Sequence, residues 1–297
     1  MGIIVQAARV RATVAPVNAG KSSAGEFLVR FWGVRGSIAA PGPATARYGG
    51  NTSSLEVRCG ARLILLDAGT GLRYLGNKLV AEAPLSTDLF FTHTHFDHVC
   101  GLPFFKPFFQ PKNEFRLWAG HLAEGMTMHR VLREFMMAPL FPVPPDVFKA
   151  KMEYRDFKAG ETLTPTPGIV VRTAVLNHPD GATGYRIEYG GKSICYVTDT
   201  EHLPGKPDAT IIELIRGADL VIYDCTYTDA EFPKHVGWGH STWQEGARLC
   251  DAAGAKRLVV FHHDPGHDDG FMDGIEADAA KTRPGTIVAR EGLTLEP

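Results

Sequence analysis

The chain has 297 residues, 44% hydrophobic and 22% charged, ordinary values for a globular protein that can bury a core as one large α/β domain or two small ones. A formal net charge of −2 provides no overall basic balance for gripping nucleic acid, so a nucleic-acid partner is not expected. Five cysteines with no CxxC pair point to reduced thiols rather than a disulfide framework, and no uncharged apolar stretch is long enough to span a membrane.

Residues 1–26 read as an N-terminal extension, followed by one domain over residues 27–297. The extension has a short apolar start, then Arg9 and Arg11, without the long apolar core of a signal peptide, so a cytoplasmic location is expected. Its end is a polar stretch that is either flexible or, through β-branched alternation upstream, part of one more strand.

From Phe27 the pattern becomes regular. Residues 27–32 and 54–58 read as strands, and 62–66 is an apolar run of buried-strand type that ends at Asp67-Ala-Gly-Thr-Gly. A helical stretch over 72–81 follows, then a short buried strand over 89–92. A helix is expected over 121–137. The segment 136–148, rich in proline and apolar residues, reads either as a lid over a substrate or as a loop covering a core edge or an oligomer contact. In the second half, short strands over 169–176, 193–197, 220–223 and 258–261 end in polar residues, with a helix over 242–253 before the last of them. Strands interleaved with helices through both halves suggest sheets covered by helices.

The chemistry sits at the strand ends. Three imidazoles and a carboxylate fall within His93-Thr94-His95-Phe96-Asp97-His98, directly after an apolar strand. Histidine and aspartate are rarely buried without partners, and adjacent imidazoles crowd unless a cation organises them. This mixture of nitrogen and oxygen ligands suits a borderline-soft dication such as zinc, with manganese or iron as alternatives. Along an extended turn His93 and His95 project to one side, while Asp97 and His98 can serve a neighbouring position.

The HxHxDH pattern after a buried strand resembles the signature of the metallo-β-lactamase superfamily. That resemblance implies an α/β fold, an αββα sandwich of two β-sheets flanked by helices, and a metal-dependent hydrolase holding two divalent ions. Carried over residue by residue, it places His93, His95 and His178 on one metal, Asp97, His98 and His262 on the other, and Asp199 between them. Taken alone, His178, Asp199 and His262 would each pass as structural, since an aspartate in a turn is often a helix cap. His263 adjoins His262 and competes for its role; the position directly after the strand favours His262. Asp67 would orient a ligand histidine by hydrogen bonding, although Asp before Ala-Gly is also ordinary turn chemistry.

Within the superfamily, Asp199 argues against β-lactamase activity and His95 against an oxygen-reducing flavodiiron protein. With Asp97, Asp199 and one hydroxide, a pair of divalent ions stays net positive and attracts an anionic small molecule. Such coordination lowers the pKa of bound water from about 15.7 toward about 7, so a metal-bound hydroxide is the expected nucleophile.

Gly237-Trp-Gly-His240-Ser-Thr resembles the motif of the phosphodiesterase branch that includes ribonuclease Z, in which the histidine assists the leaving oxygen. His240 is therefore expected to act as a general acid, with Ser241 or Thr242 capping the next helix. The short interval between His178 and Asp199 leaves no room for the RNA-gripping arm of that family. Gly33-Val-Arg35-Gly-Ser37, Tyr48-Gly-Gly-Asn51-Thr and the FHHDPGHDD stretch instead resemble a bacterial phosphodiesterase-like subgroup that implies small phosphodiesters, cyclic nucleotides first. Arg35 and Asn51 are expected to contact phosphate, and Trp238 to wall the pocket. Other readings are hydrolysis of a carboxylic ester, thioester or lactone by the same metals, or a non-catalytic metal-binding sensor or scaffold. A homodimer is expected on general frequency.

Overall fold

The computed structural model describes residues 25–297. The expected extension lies outside the described residues except for Gly25 and Glu26. The strands are β1 (Phe27–Gly33), β2 (Ser54–Cys59), β3 (Arg62–Leu66), β4 (Ser86–Phe91), β5 (Glu114–Ala119), β6 (Lys151–Asp156), β7 (Thr162–Thr166), β8 (Ile169–Leu176), β9 (Ala182–Tyr189), β10 (Lys192–Val197), β11 (Leu220–Asp224), β12 (Arg257–Phe261), β13 (Ile287–Val288) and β14 (Thr294–Leu295). The α-helices are α1 (Gly71–Leu79), α2 (Phe96–Val99), α3 (Met128–Phe135), α4 (Ala209–Ile215), α5 (Trp243–Ala253) and α6 (Asp269–Thr282).

Two seven-stranded sheets result, ordered β14-β1-β2-β3-β4-β5-β6 and β13-β12-β11-β10-β9-β8-β7. Period-two alternation explains why they stack. In β12, Val259 and Phe261 enter the core between the sheets, while Leu258 and Val260 face a second core beneath α4, α5 and α6. In β4, Phe90 faces the other sheet, and Leu89 and Phe91 pack in a third core with α1 and α3. Because the central strands are apolar on both faces, each sheet must be covered twice, and the αββα sandwich follows.

The topology also determines where polar residues collect. β3, β4, β5 and β6 are mutually parallel, as are β10, β11, β12 and β13. Parallel strands end on the same side, so the loops after β3, β4, β10, β11 and β12 open toward one end of the sandwich.

One element is shorter than expected. The helix expected over 121–137 begins only at Met128, because Gly125 adopts φ 82 and Thr127 caps the helix by accepting from the Arg130 N–H. The helix over 242–253 starts as expected, with Thr242 as its cap: the hydroxyl accepts from the Glu245 N–H at 3.0 Å. Among the described residues no helix is long and apolar enough to cross a membrane.

Candidate metal centre and active site

His93 follows β4 through Thr92, and the chain turns at His95 into the single turn of α2, which carries Asp97 and His98. His178 lies just past β8, Asp199 just past β10 and His262 immediately after β12. His262 adopts φ 62, a left-handed conformation that a bulky residue takes only at a cost of about 1–3 kcal/mol. That kink aims His262 into the cluster and sends His263 elsewhere: His263 Nε2 donates to the Ala289 carbonyl at 2.8 Å, and burial drops its pKa to about 3.

The ligand-type atoms fall into three sets, His93, His95 and His178, then Asp97, His98, Asp199 and His262, and, overlapping the second, Asp199, Asp224, His240 and His262. Asp199 stands between the first two. Its Oδ2 is 3.6 Å from His93 Nε2 and 3.8 Å from His178 Nε2, while its Oδ1 is 3.4 Å from His98 Nε2 and 3.2 Å from His262 Nε2. Asp97 Oδ2 lies 3.2 Å from His98 Nε2 and 3.4 Å from His262 Nε2, and accepts the Ser37 N–H at 2.8 Å. His95 Nδ1 is 3.0 Å from His178 Nε2.

Each of four imidazoles is held by its Nδ1. His98 donates to Asp67 Oδ2 at 2.9 Å, His178 to the Gly239 carbonyl at 2.8 Å, His93 to Thr92 Oγ1 at 3.2 Å and His262 to Thr226 Oγ1 at 2.9 Å. These partners assign the tautomer and leave the Nε2 lone pairs facing inward. The Nε2 atoms of His93, His98 and His262 are buried with no hydrogen-bond partner. An unpaired buried polar atom costs about 1–3 kcal/mol, and three that converge on buried carboxylates fit a divalent cation as the missing partner.

The charges point the same way. Burial opposes ionisation of Asp199, but the surrounding imidazoles His262, His98 and His93 hold it well below the usual carboxylate range. Burial likewise disfavours a charged His98, yet Asp97, Asp199 and Asp67 raise it well above its ordinary value, so without a metal a proton on this imidazole supplies the positive charge that a cation would bring. Burial, followed by the neighbouring His98, keeps His93 neutral, the form that binds a metal.

Asp67 sits at the end of β3 with φ 56, fully buried. It accepts from the Thr92 N–H and hydroxyl at 2.8 Å each and from the Tyr196 hydroxyl at 2.9 Å, in addition to His98. Asp224, which the sequence pattern does not single out, is its counterpart in the other sheet. At the end of β11 it accepts from Thr200 N, Thr226 N, Thr226 Oγ1 and His240 Nδ1, the last at 3.1 Å. Burial works against a charged His240, but the Asp224 carboxylate more than offsets it and lifts the imidazole to about 9. His240 also stacks on His262 at 5.0 Å, with Nδ1 3.8 Å from Asp199 Oδ2.

Arg35 and Asn51, the expected phosphate contacts, have partners within the protein. Arg35 is fully buried, and its guanidinium donates to the backbone carbonyls of Gly49, Asp264 and His267, where it ties loops together. The Asn51 amide donates to Glu291 at 3.0 Å, and its backbone N–H donates to the same carboxylate. Trp238 is 62% exposed at the tip of the turn preceding His240, with its ring edge-on to His235. In the 136–148 segment Met136 is buried while Met137 and Leu140 are exposed. Phe141 meets Phe104, and just upstream Phe135 meets Phe96, which stands exposed between His95 and Asp97.

A model of the β-lactamase superfamily domain matches residues 62–263, more than half of the chain. Among curated proteins, ribonuclease Z of Parabacteroides distasonis is 28% identical over 58% of this chain and 49% of its own length; the chain thus spans about half of that relative. Ribonuclease Z of Gemmatimonas aurantiaca is 24% identical over 91% of this chain and 96% of its own length. The fold resembles the metallo-β-lactamase fold protein YhfI of Bacillus subtilis (TM-score 0.68, 20% identity, 91% of this chain and 99% of that one). It also resembles a diphosphatase of the PhnP family (TM-score 0.66, 20% identity, 92% and 98%) and the short form of human tRNase Z (0.65, 22%, 91% and 98%).

Proposed function

The chain belongs to the β-lactamase superfamily, and from that premise we propose a dinuclear, zinc-loaded phosphodiesterase of the ribonuclease Z-like branch that acts on small phosphodiesters, cyclic nucleotides first. The observation that carries this reading is the two-sided placement of Asp199, one carboxylate oxygen toward each imidazole set, with His240 beside it. Bound there, two divalent ions supply Lewis acidity toward a phosphoryl oxygen and a lowered pKa for water.

The remaining work falls to the protein. His93, His95 and His178 would hold one ion, Asp97, His98 and His262 the other, and Asp199 would serve both. Asp67 and Thr226 fix the orientation of His98 and His262. Asp224 binds Nδ1 of His240, so the opposite ring nitrogen is the one that meets a leaving oxygen. Trp238, on the same turn, forms an aromatic wall beside it.

A small substrate is favoured by the chain path. The interval between His178 and Asp199 is taken up by β9 and β10, both paired within the second sheet, so no arm for a large polynucleotide leaves the fold there. Turnover of bis-nitrophenyl phosphate and cyclic nucleotides, measured beside a lactone and thioester panel, tests the assignment. Preference for the diesters is the expected result; turnover of carbonyl substrates alone would move the reading to an ester or lactone hydrolase.

A further inference from the structure

One residue joins three of the loops that build the site. Glu201 lies two residues past Asp199, and its Oε2 accepts the N–H of Gly237 and the N–H of Gly239, each at 2.8 Å. Its backbone N–H donates to the Asn177 carbonyl at 2.7 Å, and its own carbonyl accepts Asn177 Nδ2 at 2.8 Å. Asn177 directly precedes His178. The main chain of Glu201 therefore ties the loop carrying Asp199 to the loop carrying His178, while its side chain ties both to the turn carrying Trp238 and His240.

That turn returns the contact. The Gly239 carbonyl accepts His178 Nδ1 at 2.8 Å, and the approach is so close that a Cβ on Gly239 would clash with the same nitrogen. Gly237 and Gly239 both have positive φ, 89 and 83, so the turn is one that glycine alone adopts freely. With two N–H groups converging on one oxygen, the carboxylate offsets the cost of that conformation and fixes where the Gly239 carbonyl and His240 point.

We propose that Glu201 is a positioning residue that sets His178 and His240 together, so that one loop clasp controls both the tautomer of a ligand histidine and the placement of the leaving-group histidine. The inference rests on the metal-dependent phosphodiesterase reading for its kinetic consequence, but not for its metal-binding consequence. The substitution Glu201→Gln keeps an oxygen able to accept both N–H groups, whereas Glu201→Ala removes the acceptor and Glu201→Asp leaves it one methylene short.

The test compares Glu201→Ala, Glu201→Asp and Glu201→Gln in the full, metal-loaded chain. Metal retention against a competing chelator is read first. Loss of an outer hydrogen-bonding partner weakens metal binding about 10–100-fold, so Glu201→Ala and Glu201→Asp should release one metal equivalent at roughly tenfold lower chelator, while Glu201→Gln follows the unsubstituted chain. The second readout is the rate on diesters of graded leaving-group pKa, with His240→Ala alongside. The alanine and aspartate variants should lose most on the poorest leaving groups, as His240→Ala does, and Glu201→Gln should recover.

An unchanged chelator curve together with a uniform rate loss across leaving groups would overturn the proposal and leave Glu201 a loop stabiliser. If no diester is turned over by the unsubstituted chain, the phosphodiesterase reading fails, and the chelator curves still decide the role of Glu201. Should Glu201→Ala not fold, Glu201→Asp against Glu201→Gln gives the same contrast.

Discussion

Asp97, His98 and His262 form a set in which both imidazoles are fully buried, whereas in the set of His93, His95 and His178 the side chain of His95 is 41% exposed. Their supports differ as well. His98 is oriented by the carboxylate of Asp67, which two other side chains and a backbone N–H also hold, and His262 by Thr226, itself bound to Asp224. The ring nitrogens of His95 meet His178 at 3.0 Å and the 92% exposed Asp180 at 3.6 Å. A carboxylate partner raises the basicity of a ligand histidine, and burial keeps water from competing. One position is thus an enclosed floor, while the other opens as a rim through His95, its His93 and His178 side chains being buried, so the two positions should differ in metal affinity and in order of loss.

Removing the group the two sets share should have the largest effect. Asp199→Ala is expected to lower metal content toward zero and to cut kcat on the order of 10³-fold, since it removes charge from both positions; metal analysis and steady-state rates check this together. If Asp199→Ala keeps two metals per chain, Asp199 does not bridge the sets. Next come the two arms of the comparison. His98→Ala should lose its metal and part of its fold stability, while His95→Ala should lose one equivalent and leave the thermal midpoint nearly unchanged. Equal losses from both would erase the distinction between floor and rim.

His240→Ala should reduce kcat by about 10²–10⁴-fold with metal content intact, the range expected for one general acid. A fall in metal content of the same variant would instead make His240 a ligand, as its position beside Asp199, Asp224 and His262 also allows. The smallest effect belongs to Trp238→Ala. With its ring exposed, it should change stability by no more than about 0.5 kcal/mol, yet raise KM several-fold for diesters with aromatic leaving groups and little for methyl ones.

Much of the site is legible in the sequence because its residues follow apolar strands directly. His93, His178, Asp199 and His262 each stand within two residues of such a strand, and the parallel registers of β10 to β12 and of β3 to β4 make those ends converge. Asp224 also ends an apolar strand, but a lone aspartate before Cys-Thr carries no cluster to mark it, and its partner His240 is brought in from another loop. Glu201 and Thr226 are invisible for the same reason.

Arg35 and Asn51 read as phosphate contacts in the sequence because most of their true partners are distant along the chain: carbonyls at Gly49, Asp264 and His267 for one, Glu291 for the other. Among the elements, β6 leaves only a weak sequence signal because it is an edge strand in which just Met152 and Tyr154, both half-buried, alternate with charged residues. The N-terminal reach of α3 reads too long because the apolar spacing hides the break at Gly125 and the Thr127 cap.

The most direct measurement is to strip the protein of metal, restore it stepwise, and follow bis-nitrophenyl phosphate hydrolysis and bound metal on the same samples. The first equivalent should fill the buried Asp97, His98 and His262 position with little turnover, and activity should rise with the second, to two metals per chain. Full activity in metal-free protein, or none at two metals per chain while lactones or thioesters are hydrolysed, would contradict this expectation.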